Sequence, residues 1–153
     1  MRPIKILVVE DNEADTFYLQ KVLDRMGVVY SIEVLGDGES ALHFLLKRGK
    51  YSNAWNPDLI FLDLNLPRLS GVEVLEALPP TRRLPFCILT GSTLERDKIK
   101  KKFGIRRIAY VIKPVTRDMI LNCFRCYDHL APLAEAITVR NLDYEAPAAT
   151  LGQ

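Results

Sequence analysis

The sequence predicts an α/β protein in which a doubly wound parallel sheet of five strands lies between two layers of helices. Three observations lead to this fold class. Five short apolar runs alternate with amphipathic segments along the chain. The third run, residues 59–62, is apolar at every position, which is typical of a central strand covered on both faces. Successive β/α units of this kind place their strands in one parallel sheet.

Each predicted element has its own pattern and stop signal. The predicted strands are residues 4–9, 32–35, 59–62, 86–89 and 108–112. The predicted helices are residues 14–26, 39–48, 71–78, 93–103 and 116 to about 130. Gly27, Gly49 and Gly104 follow three of these helices, and Pro79 with Pro80 halts the third. Ser92 and Glu95 have the spacing of a capping box ahead of the fourth helix.

The C-terminal region is predicted to be a short helical extension followed by a tail. Pro132 should interrupt the last helix before a further turn or two. From Asp143 the chain is rich in Ala, Pro and Gly, and we expect it to be disordered. With 153 residues in total, we assign one domain to 1–142, with a core over 4–130, an extension over 131–142 and a tail over 143–153.

The composition excludes several classes of protein. A formal net charge of +2 and 26% charged residues are not those of a typical nucleic-acid-binding protein. No apolar stretch approaches the ~18 residues of a membrane span, and no signal-peptide cleavage pattern follows Met1. Three cysteines are too few, and of the wrong parity, for a disulfide framework. We therefore expect a cytoplasmic protein.

Five polar residues stand where predicted strands end. Glu10 and Asp11 follow the first strand, Asp63 ends the third, Thr90 ends the fourth and Lys113 follows the fifth. Because a parallel sheet collects the carboxyl ends of its strands at one edge, we expect these side chains to converge into a single site.

The three carboxylates of this group predict a metal site. Glu10, Asp11 and Asp63 cannot all be ionised at close range without a counter-charge. Hard oxygen ligands suit Mg²⁺ or Mn²⁺ better than zinc. We expect the metal to be held by these carboxylates and by the backbone carbonyl of Asn65.

The remaining members predict phosphoryl chemistry. Asp63 would act as a nucleophile and form an acyl phosphate. Lys113 would hold one phosphoryl oxygen and the Thr90 hydroxyl another, because positioned cations and donors supply most of the catalysis of such transfers. Gly91 has no side chain and would leave the approach to Asp63 open.

These residues belong to four longer motifs. The motifs are Val8-Val9-Glu10-Asp11-Asn12, Leu62-Asp63-Leu64-Asn65-Leu66-Pro67, Leu89-Thr90-Gly91-Ser92 and Tyr110-Val111-Ile112-Lys113-Pro114. Together they resemble the receiver domain of two-component response regulators, over about residues 4–130. The resemblance implies a flavodoxin-like fold with strand order 2-1-3-4-5.

The resemblance also implies roles for individual residues. Asp63 would take a phosphoryl group from a sensor histidine kinase, after which Thr90 and Tyr110 would swing inward as switch residues. The peptide bond between Lys113 and Pro114 is commonly cis in this family.

A narrower resemblance concerns the partner. The segments 10–15 and 51–54 are most similar to small single-domain regulators that pair with bacterial and cyanobacterial phytochromes. The segment between Gly71 and Thr90 is shorter than is usual in the family and contains the break at Pro79 and Pro80, so we expect the third helix and its following loop to be trimmed or displaced.

A basic cluster on and after the fourth helix has two readings. Its members are Arg96, Lys98, Lys100, Lys101, Lys102, Arg106 and Arg107. A solvated face is the default, and a surface for a homodimer through helix 4, strand 5 and helix 5 is the alternative. Nucleic-acid binding is disfavoured because Phe103 is the only aromatic residue in the cluster.

Two other motifs are given structural readings. Cys123 and Cys126 have the spacing of a redox pair but are predicted mid-helix, away from a helix start that would stabilise a thiolate. Only His43 and His129 are available to join them, so zinc is disfavoured.

Three function classes follow from the site. The first is a phosphoacceptor that signals through altered protein–protein interaction, either alone or as an intermediate in a multistep relay. The second is an aspartyl-phosphate hydrolase, which needs an acid two residues after Asp63, where Asn65 stands. The third is a pseudo-receiver that binds partners or dimerises without phosphate. The first is favoured, with no dedicated enzyme activity.

Overall fold

The computed structural model describes residues 2–104 and 108–145. Its centre is one parallel sheet of five strands in the order β2-β1-β3-β4-β5. The strands are β1 (Ile4–Val9), β2 (Tyr30–Leu35), β3 (Leu59–Asp63), β4 (Phe86–Thr90) and β5 (Ala109–Ile112). The predicted fold class and strand order are therefore confirmed.

Six helices connect and follow these strands in the described part of the chain. They are α1 (Glu13–Arg25), α2 (Gly38–Leu45), α3 (Gly71–Ala77), α4 (Thr93–Phe103), α5 (Arg117–Arg125) and α6 (Ala131–Glu145). A 3-10 turn at Gly49–Tyr51 follows α2, which ends three residues earlier than predicted. Helix α3 is seven residues long and ends before Pro79, one residue earlier than predicted.

The sheet separates two apolar cores. Leu59 and Phe61 of β3 face the core under α1 and α5, whereas Ile60 and Leu62 face the core under α2 and α3. Every residue of β3 is buried. This burial on both faces explains the continuous apolar run in the sequence. The strand ends at the carboxyl edge of the sheet, and Asp63 is its last residue.

Asp63 and Thr90 are the last residues of β3 and β4, one residue beyond the apolar runs that predicted these strands. Asp63 and Thr90 each continue the ladder by one residue, because Asp63 pairs with Leu89 and Thr90 pairs with Ile112. Their backbones are consequently fixed by the sheet rather than by a loop.

The C-terminal region is helical from residue 131, as predicted, but the helix boundaries differ from the prediction. Helix α5 ends at Arg125 rather than near residue 130, and Pro132 does not interrupt a helix but lies in the first turn of α6. Proline is tolerated there because the first-turn N–H groups have no partner within the helix. Helix α6 reaches Glu145, so the boundary predicted at Asp143 falls inside it. Residues 146–153 lie outside the described residues.

Helix α6 is part of the core. Ala134 and Ile137 are buried against the same apolar cluster as α1 and α5. His129, in the turn before α6, also contacts the carbonyl oxygen of Asp58 at 2.7 Å, next to the start of β3. The C-terminal helix therefore stabilises the end of the sheet opposite to the polar edge.

We expect Ile137→Ala to lower the free energy of unfolding by about 3 kcal/mol, the middle of the range for a buried Ile side chain. Ile137 is 1% exposed, whereas Val139, two residues along the same helix, is 53% exposed. Val139→Ala should change the free energy of unfolding by less than about 0.5 kcal/mol. Urea unfolding of both variants measures the difference, and equal effects would show that α6 does not contribute to the core.

No helix of the described ranges 2–104 and 108–145 is long and apolar enough to cross a membrane.

Candidate functional site

Asp63 lies at the carboxyl edge of the sheet and is held there by close packing. Its side chain is buried, and its Oδ1 accepts a hydrogen bond of 2.8 Å from the backbone N–H of Asn65. Gly71 approaches its backbone so closely that a Cβ at position 71 would lie 2.4 Å from the carbonyl oxygen of Asp63. Only glycine fits there, so the start of α3 sets the position of the carboxylate.

Lys113 is the charged centre of the site. Its Nζ donates to Oε2 of Glu10 at 2.7 Å, to Oδ2 of Asp63 at 2.7 Å and to Oδ2 of Asp15 at 2.9 Å. Its backbone N–H also donates to the carbonyl oxygen of Thr90 at 2.8 Å, which ties the ends of β4 and β5 together. One ammonium group therefore joins three carboxyl groups that come from the residue after β1, from α1 and from the end of β3.

The predicted metal ligands converge. Glu10, Asp11 and Asp63 each offer a carboxylate oxygen, and these oxygens lie within 4.8 Å of one another. Glu10 and Asp63 are buried and Asp11 is exposed, so the cluster opens to solvent on one side. This donor set fits a hard divalent cation that keeps several waters. The role of the Asn65 carbonyl stays a prediction.

The pKa values of the Glu10 and Asp63 carboxyl groups are shifted in opposite directions. Burial, together with the hydrogen bond to Asp63, raises the pKa of Glu10 to about 7. Burial also acts to raise the pKa of Asp63, but hydrogen bonds with Glu10, Lys113 and the Asn65 N–H outweigh it and lower that pKa. Burial acts to lower the pKa of Lys113, but its carboxylate partners raise it. Asp63 is therefore the ionised member of the pair.

We expect the metal-free protein to lose stability as the pH rises towards about 7. The pKa of Glu10 is about 7 in the folded chain against 4.5 for an ordinary Glu, so between these values the folded state keeps a proton that the unfolded state has lost. The free energy of unfolding then falls with pH, by at most about 1.4 kcal/mol per unit for one proton.

Urea unfolding in a chelator at several pH values measures this slope. Glu10→Gln removes the titrating group and should flatten the decline between about pH 5 and 7. The same slope in wild type and variant would contradict the assignment of the proton to Glu10.

Thr90 is buried at the end of β4 and its hydroxyl is already occupied. Its Oγ1 donates to Oε2 of Glu95 at 2.5 Å and lies 3.2 Å from the carbonyl oxygen of Ser92. Oγ1 also accepts from the backbone N–H of Ser92 at 3.3 Å. The predicted capping box is therefore only half formed, since Ser92 Oγ caps the Glu95 N–H while the Glu95 carboxylate binds Thr90.

The other predicted residues lie beside this edge. A Cβ at Gly91 would meet nothing within 4 Å, so the space around it is open. Tyr110 is half-buried in β5, and Lys100 Nζ lies 5.5 Å from the centre of its ring. Burial raises the pKa of Tyr110. The peptide bond between Lys113 and Pro114 is cis.

Three residues of the site were missed at the level of sequence. They are Asp15, Gly71 and Glu95. Asp15 lies in the first turn of α1, where acidic residues are favoured in any helix, so its sequence position indicated a helix start rather than a site residue. Gly71 and Glu95 act through contacts between elements, for which a single sequence carries no pattern.

Two basic residues of α4 form ion pairs, one with α3 and one within α4. Lys102 pairs with Glu76 of α3, and Arg96 Nε lies 3.2 Å from Asp97 Oδ1. Leu94, at the start of the same helix, is 66% exposed. Arg106 and Arg107 lie outside the described residues. The homodimer surface stays a prediction.

The paired cysteines lie at the C-terminal end of α5 rather than in the middle of a helix. Cys123 is buried, and Cys126 is the C-cap residue, with its Sγ 3.3 Å from the carbonyl oxygen of Asn122. A helix C-terminus disfavours a thiolate, so the position argues against redox reactivity.

Comparison with known proteins places the chain in a family. Residues 6–125 match the model of the response regulator receiver domain. The response regulator Rcp1 from Synechocystis sp. is 42% identical over 100 residues, which are 63% of this chain and 68% of Rcp1. The probable methanogenesis regulatory protein FilR2 from Methanothrix harundinacea is 36% identical over 118 residues, which are 74% of each protein.

Solved structures of response regulators have the same fold. The bacteriophytochrome response regulator AtBRR superposes with a TM-score of 0.73 at 30% identity, over 82% of this chain and 93% of AtBRR. The Mn²⁺-bound form of Rcp1 has a TM-score of 0.63 at 36% identity, over 79% of this chain and 89% of Rcp1. The chain therefore belongs to the response regulator receiver domain family.

Proposed function

We propose that this chain is a response regulator that accepts a phosphoryl group on Asp63 in a Mg²⁺-dependent reaction. One observation carries the proposal. Lys113 holds an ionised carboxylate at a buried strand end, with its Nζ 2.7 Å from Oδ2 of Asp63. A carboxylate kept ionised beside a fixed cation can act as a nucleophile towards phosphorus, and the cation stabilises the negative charge of the phosphoryl oxygens.

The residues supply each part of an in-line transfer. A carboxylate oxygen of Asp63 forms a bond to phosphorus, and the bond from phosphorus to the donor atom breaks, so the donor leaves with that electron pair. Lys113 compensates the charge of the equatorial oxygens, and the Thr90 hydroxyl is a further donor. The product is an acyl phosphate on Asp63 and the dephosphorylated donor.

Glu10, Asp11 and Asp63 would hold Mg²⁺ or Mn²⁺ beside the acceptor. Their oxygens already lie within 4.8 Å of one another, and the chemistry of this donor set suits both ions. When bound, the ion supplies positive charge next to the phosphoryl group. Rcp1, a relative at 36% identity, has been solved with Mn²⁺ bound.

A phytochrome-type histidine kinase is the partner that we propose. The support is the set of relatives, which includes AtBRR and the phosphorylated cyanobacterial phytochrome response regulator RcpA, the latter at 32% identity over 89% of each chain. We propose that signalling then proceeds by altered protein binding, with a homodimer through α4, β5 and α5 as one outcome. Asn65 follows Asp63 where a hydrolase would need an acid, so no dedicated enzyme activity is proposed.

Intact-mass spectrometry tests the proposal. The chain is incubated with acetyl phosphate and Mg²⁺, or with Mg²⁺ replaced by a chelator. We expect the mass of one phosphoryl group to be added only when the metal is present. No added mass under either condition, or the same addition in both, would overturn the Mg²⁺-dependent acceptor.

The choice of kinase is tested separately. A phytochrome-type histidine kinase that has autophosphorylated on its own histidine is mixed with the chain, and an unrelated histidine kinase serves as the control. Faster transfer from the phytochrome-type kinase supports the pairing. Equal rates from the two kinases would contradict it.

A further inference from the structure

We propose that Glu95 is a positioning residue of the acceptor site, and that its carboxylate accepts the hydrogen bond of the Thr90 hydroxyl in the unphosphorylated protein. This inference rests on the proposed function, because Thr90 acts only if Asp63 receives a phosphoryl group. The observation that carries it is the 2.5 Å hydrogen bond from Thr90 Oγ1 to Glu95 Oε2.

A hydroxyl group has a single proton, so its strongest acceptor excludes the others. The Glu95 carboxylate is at 2.5 Å, whereas the competing carbonyl oxygen of Ser92 is at 3.2 Å. An O–H···O⁻ bond of that length is a charge-assisted hydrogen bond, roughly twice as strong as one between neutral groups. Thr90 therefore donates its hydrogen bond to Glu95 when no phosphoryl group is present.

The position of Thr90 makes this contact relevant to the acceptor. Asp63 pairs in register with Leu89, and Thr90 is the next residue on that strand. The backbone carbonyl of Thr90 accepts from the N–H of Lys113, so its main chain is fixed between the two ends of the site. Only the side chain is free to change its hydrogen-bond partner.

A second helix of the same chain shows what Glu95 would otherwise do. Helix α3 begins with the same Ser-x-x-Glu spacing, and there the box is complete: Glu73 Oε1 accepts from the Ser70 N–H at 3.3 Å, and Ser70 Oγ accepts from the Glu73 N–H at 3.2 Å. At α4 the N–H of Ser92 donates to Thr90 Oγ1 instead, at 3.3 Å. The Glu95 carboxylate thus binds the Thr90 hydroxyl and not the backbone N–H of Ser92.

Glu95 and a phosphoryl group on Asp63 would therefore compete for the single hydrogen bond that the Thr90 hydroxyl can donate. An acyl phosphate on Asp63 would offer the Thr90 hydroxyl a charged oxygen, and the hydroxyl must leave Glu95 to reach it. No covalent bond changes in this step, and the proton stays on Thr90. Glu95 therefore opposes the phosphorylated state and lowers the affinity of the site for a phosphoryl group or its analogue.

Binding of trifluoroberyllate (BeF₃⁻), an analogue of the phosphoryl group, in the presence of Mg²⁺ tests this inference. Fluorine NMR measures the bound BeF₃⁻. Glu95→Gln keeps the size of the side chain and remains acceptable at the start of a helix. The substitution replaces a charged acceptor of the Thr90 hydroxyl by a neutral one. Because a hydrogen bond to a neutral group is weaker, we expect BeF₃⁻ to bind about fivefold more tightly. Glu73→Gln is the matched control and should leave the affinity unchanged.

A double-mutant cycle separates this role from a general effect on α4. In a Thr90→Ala background, Glu95→Gln should have no further effect, because the hydroxyl through which Glu95 acts is gone. An equal gain in both backgrounds, or no gain in either, would overturn the positioning role alone. Failure of the wild type to bind BeF₃⁻ would overturn the proposed function and the inference with it.

Discussion

Asp63→Asn should abolish phosphorylation by acetyl phosphate and Mg²⁺ and leave the fold intact. The amide oxygen of Asn is neutral and is a poor nucleophile towards phosphorus, so labelling should fall to background. In the wild type Lys113 also binds Glu10 at 2.7 Å and Asp15 at 2.9 Å, and we expect both contacts to remain in the variant. We therefore expect the free energy of unfolding to stay within about 1 kcal/mol of wild type.

Intact mass and urea unfolding of the same sample check both parts of this result. Asp58→Asn is a suitable control for labelling, because Asp58 lies at the opposite end of β3 and pairs with Arg2 at 3.0 Å. The control should be labelled like the wild type. Equal labelling of Asp63→Asn and wild type would remove Asp63 as the acceptor.

Lys113→Met should destabilise the metal-free protein by about 3 kcal/mol, because it leaves buried carboxylates without their cation. Glu10 and Asp63 have side chains only 1% and 8% exposed, so water cannot replace the ammonium group effectively. Saturating Mg²⁺ should recover much of the loss, since a ligand that binds only the folded state stabilises it. Phosphorylation should stay strongly reduced even with Mg²⁺, because the ion does not replace the hydrogen bonds of Lys113.

Urea unfolding with and without Mg²⁺ measures this prediction. Lys98→Met, on the exposed side of α4, controls for the loss of one positive charge and should be within about 0.5 kcal/mol of wild type. A Lys113→Met protein as stable as wild type in the chelator would show that the carboxylates do not depend on Lys113.

Much of the site could be predicted because a parallel sheet converts sequence order into position. Glu10, Asp63 and Lys113 are separated by up to 103 positions, yet each stands at a strand end, and strand ends share one edge. The apolar runs identified the strands, and the first polar residue after each run identified the edge. No tertiary information was needed for that step.

The contacts that depend on how helices pack could not be predicted in the same way. Glu95 fitted a capping box by spacing, but the Thr90 hydroxyl is the stronger partner for its carboxylate once β4 and α4 are in place. Pro132 looked like a helix breaker, but the turn after Arg125 lets a new helix begin, and proline is compatible with its first turn. Burial of Ile137 then carries α6 into the core.

The central claim is that the Asp63 carboxylate receives the phosphoryl group. Reduction of the labelled protein with borohydride converts an acyl phosphate on aspartate to homoserine, and peptide mass spectrometry locates the altered residue. We predict a single homoserine at position 63, only in samples treated with phosphodonor and Mg²⁺. Homoserine at another aspartate, or an unaltered Asp63 in a labelled protein, would contradict this account.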